Sequence, residues 1–187
     1  MNRREAIIRM AVLLGGSFVG PRLLSAALDE NTPATDYGFT AAELALLDEL
    51  GDTIIPATDT PGAKAVQIGA FIAMMVHDCH DATEQADFKT GLAQLAADFN
   101  TRHGRDFIAA PAAIRTSYLN TIDSAHKKDR QSREPLLIAF RLAKDLTVLG
   151  YFTSELGATE VIRHLETPAY YNGDVPYKKG DKVWAVT

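Results

Sequence analysis

The residues best equipped for chemistry stand side by side, at His77, Asp78, Cys79, His80 and Asp81. Imidazole and thiolate groups are metal ligands. However, successive residues of a helix point about 100° apart, so few of these side chains can converge on one ion. A metal site on His77, Cys79 and His80 is one interpretation. Histidines that stabilise the negative C-terminal end of a helix are the simpler one.

Cys79 is the only cysteine, which excludes an internal disulfide and a cysteine-rich zinc site. In an oxidising compartment a lone cysteine can pair with a cysteine of another chain. Equally, a lone cysteine is often a small buried apolar residue. Burial is the favoured prediction, because free cysteine is among the most buried residue types.

No other residue pattern supports catalysis. Glu155 could act as a general acid or base, yet no histidine or second carboxylate stands at a spacing that suggests a partner. Glu155 is therefore expected to bind backbone N–H groups at a helix break, or an arginine of a partner. The sequence contains no glycine-rich phosphate loop, no G-x-G-x-x-G fingerprint, no Cys-x-x-Cys-His haem motif and no G-x-S-x-G elbow. We predict no catalytic, cofactor-binding or metal-binding residue in this chain.

The N-terminus has the layout of a bacterial export signal. Arg3 and Arg4 precede an apolar run, Met10 to Gly20, and Ser25-Ala26-Ala27 offers small residues for a signal peptidase. The apolar run is shorter than the about 20 residues that span a membrane. Twin arginines favour the Tat translocase, which exports folded proteins; a Sec signal with incidental arginines is the alternative. We expect a signal peptide at 1–27 and a periplasmic protein, with retention of the signal as a membrane anchor left open.

Composition favours one soluble helical domain. The chain has 187 residues, of which 47% are hydrophobic, enough for one domain with a core. Its net charge is -5, and no basic face or nucleic-acid motif is present, which argues against nucleic-acid binding. No segment alternates as a strand does, so the predicted class is all-α, a single compact multi-helix domain. The boundaries are a linker at 28–38, the helical domain at 39–166 and an irregular aromatic tail at 167–187.

Capping signals and apolar spacing predict the helices. Thr40 with Glu43, and Asp81 with Glu84, have the spacing of capping boxes that open two helices. A helix at Ile68–Cys79 lies between them. The clearest amphipathic pattern follows Asp81, at Phe88, Leu92, Leu95 and Phe99.

The second half of the chain continues the helical pattern. Pro111 suits the first turn of a fourth helix, and Pro135 starts a long apolar helix that we place centrally. Leu149 of this helix is expected to be buried together with Leu137, Phe140 and Leu146, and a short final helix is predicted at Thr159–Leu165. The tail beyond is rich in aromatic residues, so it either packs on its own helices or lies on a partner: Tyr170, Tyr171, Tyr177 and Trp184.

Two segments carry a family resemblance. In Thr53 to Ala65, Pro56 stops a helix, and Pro61-Gly62 is predicted as the central pair of a tight turn in which the glycine adopts an unusual backbone angle. Gly150 to Ala158 is the second segment. Together they resemble the gluconate 2-dehydrogenase subunit 3 family, the small subunits of exported flavin-dependent sugar and sugar-acid dehydrogenases. With the N-terminal signal, the resemblance covers nearly the whole chain.

The resemblance implies a role as a non-catalytic small subunit. It implies a large flavoprotein of the glucose-methanol-choline oxidoreductase type that holds FAD, and a multihaem cytochrome c subunit that holds haem c and passes electrons toward quinone. In such complexes the small subunit carries the export signal for a large subunit that lacks one. The alternative is a stand-alone periplasmic protein that binds a ligand or metal around His77, Cys79 and His80.

The partner-binding residues are predicted in the two family-like segments and the tail, because interfaces concentrate aromatic anchors. They are Ile55, Pro56, Thr58, Asp59, Pro61, Tyr151, Phe152, Glu155, Tyr170, Tyr171 and Trp184.

The Tat prediction is tested by replacing both arginines. Arg3→Lys with Arg4→Lys should abolish periplasmic dehydrogenase activity, while the flavoprotein stays in the cytoplasm, because the translocase requires the arginine pair. Activity and flavoprotein are assayed in separated periplasmic and cytoplasmic fractions. Unchanged export of the double variant would contradict a Tat signal.

Overall fold

The computed structural model describes residues 37–164, 173–176 and 178–184. Within them lie five α-helices, a 3₁₀ turn and a π-helical turn, and no β-strand, which confirms the all-α class. The predicted export signal, with Arg3 and Arg4, lies outside the described residues. In these ranges no helix is both long and apolar enough to span a membrane. The elements are α1 (Ala41–Ile54), the 3₁₀ turn (Ala63–Val66), α2 (Ile68–Cys79), α3 (Ala82–His103), α4 (Ala112–Lys128), α5 (Pro135–Thr153) and the π turn (Gly157–Val161).

Both predicted capping boxes are present. The Thr40 hydroxyl accepts the Glu43 N–H at 3.2 Å, and the Glu43 carboxylate accepts the Thr40 N–H at 2.7 Å. At the start of α3 the Asp81 carboxylate accepts two N–H groups, and the Glu84 carboxylate accepts the Asp81 N–H at 3.2 Å. These bonds satisfy N–H groups that a helix leaves without internal partners, so both helices begin where the sequence predicts.

Helix α5 lies at the centre of the fold and contacts each of the other four α-helices. Its inner face buries Leu137, Phe140 and Leu146, as predicted. The expected burial of Leu149 is wrong, since 47% of its surface is exposed. Leu149 lies on the outer side of the helix together with Val148 and Phe152, which are also exposed.

Ile68, the first residue of α2, is fully buried between two glycines. A Cβ atom on Gly51 of α1 would lie 2.4 Å from Ile68 Cγ2, and a Cβ atom on Gly150 of α5 would lie 2.7 Å from Ile68 Cδ1. Carbon atoms in contact are normally about 3.5–4.0 Å apart, so any larger residue at either glycine would separate the helices. The glycines therefore allow α1, α2 and α5 to pack closely around Ile68, with the Phe71 ring of α2 also against Gly150.

The end of the domain departs from the predicted helix at Thr159–Leu165. The π turn stops at Val161, and the Arg163 N–H then donates to the Val183 carbonyl at 2.8 Å. The Arg163 guanidinium lies 4.8 Å from the centre of the Trp184 ring. The described part of the tail thus packs on its own chain, although Trp184 keeps 44% of its surface exposed.

Gly91 provides a test of close helix approach. A Cβ atom there would lie 2.1 Å from the Pro135 carbonyl oxygen, where α3 meets α5. Backbone cannot yield as a flexible side chain does, so Gly91→Ala should lower the free energy of unfolding by about 2–3 kcal/mol, despite the better helix propensity of alanine. Gly104→Ala is the control. Gly104 has a positive φ, and a Cβ atom there would have no neighbour within 4 Å, so only about 1 kcal/mol should be lost. Urea unfolding measures both, and an equal loss would contradict the packing argument.

Candidate partner-binding surface

The two family-like segments meet in the structure. The Tyr151 hydroxyl donates a hydrogen bond to the Pro61 carbonyl, across 90 positions of sequence. Tyr151 is only 1% exposed, so this bond is formed at the edge of the core. One residue of the second segment therefore holds the first segment in place.

The first segment is a closed loop that follows α1. The helix ends at Ile54, and Ile55 has left helical geometry, with φ at -124°, as expected of a residue before proline. The Ala63 N–H donates to the Ile55 carbonyl at 2.9 Å, which ties the two ends of the loop together. Within it the Thr58 N–H donates to the Thr60 carbonyl at 2.9 Å. The loop is thus held by its own backbone as well as by Tyr151.

Gly62 serves this loop in a different way from the predicted one. Its φ is -79° and its ψ 173°, which any residue can adopt, so the expected left-handed turn at Pro61-Gly62 is wrong. A glycine is needed here because there is no room for a side chain. A Cβ atom there would lie 2.4 Å from the Asp52 carboxylate and 2.7 Å from the Ala57 nitrogen.

A charge cluster joins α1, α4 and the 3₁₀ turn that follows the loop. The Glu49 carboxylate of α1 forms ion pairs with Lys64, at 2.7 Å, and with Arg115 of α4. Glu49 is 7% exposed and Arg115 9%. The hydrogen bond to Glu49 raises the pKa of Lys64 above its ordinary value. Removing the Glu49 carboxylate would leave the buried Arg115 guanidinium without a counter-charge, which is strongly destabilising.

A second carboxylate fixes the start of α2. Asp48 accepts the Gly69 N–H at 2.7 Å, so α1 supplies the bond that caps α2. Burial raises the pKa of Asp48, against the opposing effect of the Gly69 bond. Asp48, Glu49 and Arg115 are not among the residues predicted from the sequence. Each lies beside an apolar stripe, and hydrophobic spacing does not mark a buried charge whose partner is remote in sequence.

The predicted contact residues divide into exposed and buried ones. Pro56, Thr58, Asp59, Phe152 and Glu155 are exposed, and Ile55 and Pro61 are partly buried. Tyr151 is the exception, because its buried side chain supports the loop and offers a partner no surface. Tyr170 and Tyr171 lie outside the described residues.

Phe152 joins the loop region to an apolar strip. Its ring meets the Tyr151 ring edge-on, with centroids 5.2 Å apart. Val148 and Leu149 continue the exposed side of α5 from Phe152, one helical turn away. We refer to Val148, Leu149 and Phe152 as the α5 strip.

Ser154 performs the role that was expected of Glu155. Its hydroxyl accepts the Gly157 N–H at 3.0 Å and donates to the Tyr151 carbonyl at 2.7 Å, which organises the break after α5. The Glu155 side chain is exposed at the surface beside this break. That Glu155 binds an arginine of a partner stays a prediction.

The histidine and cysteine cluster is dispersed over the end of α2. His77 Nδ1 lies 2.8 Å from the Asp78 carboxylate, and His80 Nδ1 lies 3.0 Å from that of Glu84. Cys79 is exposed, so its predicted burial is wrong; it lies in the last turn of α2, on the side away from the core. Among the described residues, no three histidine, cysteine or carboxylate side chains are placed to hold one metal ion. Pairing of Cys79 with another chain stays open.

Comparison with known proteins places the chain in a family. The family model described as Gluconate 2-dehydrogenase subunit 3 matches residues 41–168, more than half of the chain. The matched range contains both segments joined by Tyr151 and Pro61. No curated protein and no solved structure matches the chain.

Removing the Tyr151 hydroxyl should loosen the loop. Tyr151→Phe loses the bond to Pro61, so stability should fall by about 1 kcal/mol and the Ala63 N–H should exchange with solvent faster. The control is Tyr118→Phe. Tyr118 donates to Asp98 in another part of the fold, so its loss should lower stability without a selective effect on Ala63. Hydrogen exchange followed by mass spectrometry measures both, and equal loop exchange in the two variants would contradict the anchoring role.

Proposed function

The chain belongs to the gluconate 2-dehydrogenase subunit 3 family, and we propose that it is the non-catalytic small subunit of a periplasmic, membrane-associated FAD-dependent dehydrogenase of a sugar, polyol or sugar acid. The family match carries this proposal. The partner that oxidises the substrate is a flavoprotein of the glucose-methanol-choline type, which holds FAD. A cytochrome c subunit with several haems accepts the electrons.

The polar residues of the matched range bond to other parts of the chain, which supports a non-catalytic role. Tyr151 and Ser154 of the matched range hold the loop and the helix break. Glu49, the buried carboxylate, is neutralised by Lys64 and Arg115. A general base must reach a substrate proton, and these groups are directed at other parts of the chain.

The surface of the matched range supports binding to a large partner. The α5 strip exposes three large apolar side chains on a helix whose other side is core. Aromatic and apolar anchors of this kind concentrate at the centres of interfaces. The neighbouring loop is held in one shape by Tyr151, which lowers the entropy cost of binding.

Export follows from the order of these parts along the chain. The predicted signal at 1–27 precedes the helical domain, and the Tat translocase carries folded proteins. A heterodimer assembled in the cytoplasm can therefore cross the membrane on one signal. Binding to the flavoprotein must precede export, which gives the small subunit an escort role.

The test is isolation of the tagged native protein from its own cells. We expect a co-purified flavoprotein, identified by mass spectrometry, with the absorption spectrum of bound FAD. A colourless monomer would contradict the proposal and favour the stand-alone periplasmic protein, whose metal content would then be measured.

The same assay tests the α5 strip. Leu149→Asp with Phe152→Asp should weaken flavoprotein binding by at least about tenfold, because charges would be buried at an apolar interface. Both side chains are exposed, so the fold should persist. Thr116→Asp, on the exposed side of α4, is the matched control and should bind normally. Unchanged affinity of the double variant would place the interface elsewhere.

A further inference from the structure

An open apolar groove separates α1 from α3. Its volume is about 560 Å³, which lies in the range of pockets that bind small molecules. Apart from two acidic residues its lining is apolar: Ala42 and Leu46 of α1, Leu92, Ala93 and Ala96 of α3, and Phe107, Ile108 and Ala109 of the following loop. None of the proposed partner contacts lies in it.

The chain enters the described structure between these same two helices. Phe39, just before α1, is buried against Phe88 of α3, with ring centroids 6.1 Å apart. Lys89 donates a hydrogen bond to the Gly38 carbonyl. Phe88 and Lys89 stand one helical turn before Leu92 and Ala93, so the upstream chain joins the domain beside one end of the groove.

The groove and the N-terminal segment are complementary in character. Two acidic residues line the groove, Glu43, which is half-buried, and Asp106, which is exposed. The N-terminal apolar run, Met10 to Gly20, is bracketed by Arg9 and Arg22. An apolar groove with acidic groups at its edge is suited to an apolar segment with basic flanks.

We propose that the apolar run Met10–Gly20 docks into the groove between α1 and α3 of its own chain. The connection allows it, because residues 21–36 reach about 50 Å when extended. A tethered segment also has an effective concentration in the millimolar range, which favours it over a second copy or a free partner. Docked in this way, the run is withheld from other hydrophobic surfaces. Docking would also withhold the run from the translocase, and this consequence rests on the proposed function. The docking itself does not rest on the proposed function.

Cysteine cross-linking in the full chain tests the docking directly. In a Cys79→Ser background, Val12→Cys with Ala93→Cys should form an intramolecular disulfide under mild oxidation, because such a bond requires Cα atoms within about 7 Å. Val12→Cys with Thr116→Cys is the control and should cross-link at least about tenfold more slowly. Equal rates would overturn the proposal. Dimers of the chain that are linked by a disulfide at Ala93→Cys would overturn the proposal. They would indicate that a second copy occupies the groove.

A blocked groove gives an independent measurement. Ala93 is exposed, so Ala93→Glu should fold and yet repel the apolar run. Trypsin cleavage after Arg9 and Arg22 should then become about tenfold faster, since cleavage follows the population of the undocked state. Thr116→Glu should leave the rate unchanged. Ile108→Glu repeats the test at a second exposed groove position.

Equal cleavage of the unaltered, groove-blocked and control proteins would overturn the docking. All these measurements use the purified chain without a flavoprotein. Their failure is therefore distinct from a failure of the proposed subunit role.

Discussion

Ile68 and the two glycines around it determine how closely α1, α2 and α5 approach one another. Interiors are packed as densely as organic crystals, so a contact that requires the absence of a side chain fixes the relative position of its helices. Gly51 and Gly150 admit the Ile68 methyl groups from opposite sides, which joins α1, α2 and α5 at one point. Gly150 immediately precedes Tyr151, so the same approach also sets the position of the residue that holds the Pro61 loop.

The loop after α1 depends on this arrangement at several levels. Its ends are joined by a backbone bond, Pro61 near its far end is bonded to Tyr151, and the turn that follows is tied to the buried Glu49 through Lys64. Each contact comes from a different part of the sequence. The result is an exposed loop of small and polar residues with little freedom to rearrange, next to three apolar side chains on α5. Pre-ordered surfaces of this kind bind at lower entropic cost than mobile ones.

Much of the fold could be predicted from the sequence, because its determinants are local. Capping boxes at Thr40 and Asp81 and the proline at 135 act within one turn of the helices they begin. The errors concern properties that depend on distant contacts. Leu149 is as apolar as its buried neighbours, and only the placement of α5 decides that it faces outward. Gly62 has the sequence context of a turn glycine, although the neighbouring Asp52 and Ala57 are what require it. The Glu49–Arg115 pair joins α1 to α4, and the spacing of apolar residues does not predict such an ion pair. The approach of the two family-like segments to one another is likewise a tertiary property.

The two sides of α5 have a consequence for how long the chain survives in a cell. A partner that covers the outer strip binds only the folded helix, and binding of this type raises the free energy of unfolding by mass action. Chains without such a partner would therefore unfold more often and would be degraded faster by proteases that attack open states. Surplus copies would be removed while assembled ones persist. Subunit stoichiometry can thus be corrected by turnover, without matched rates of synthesis.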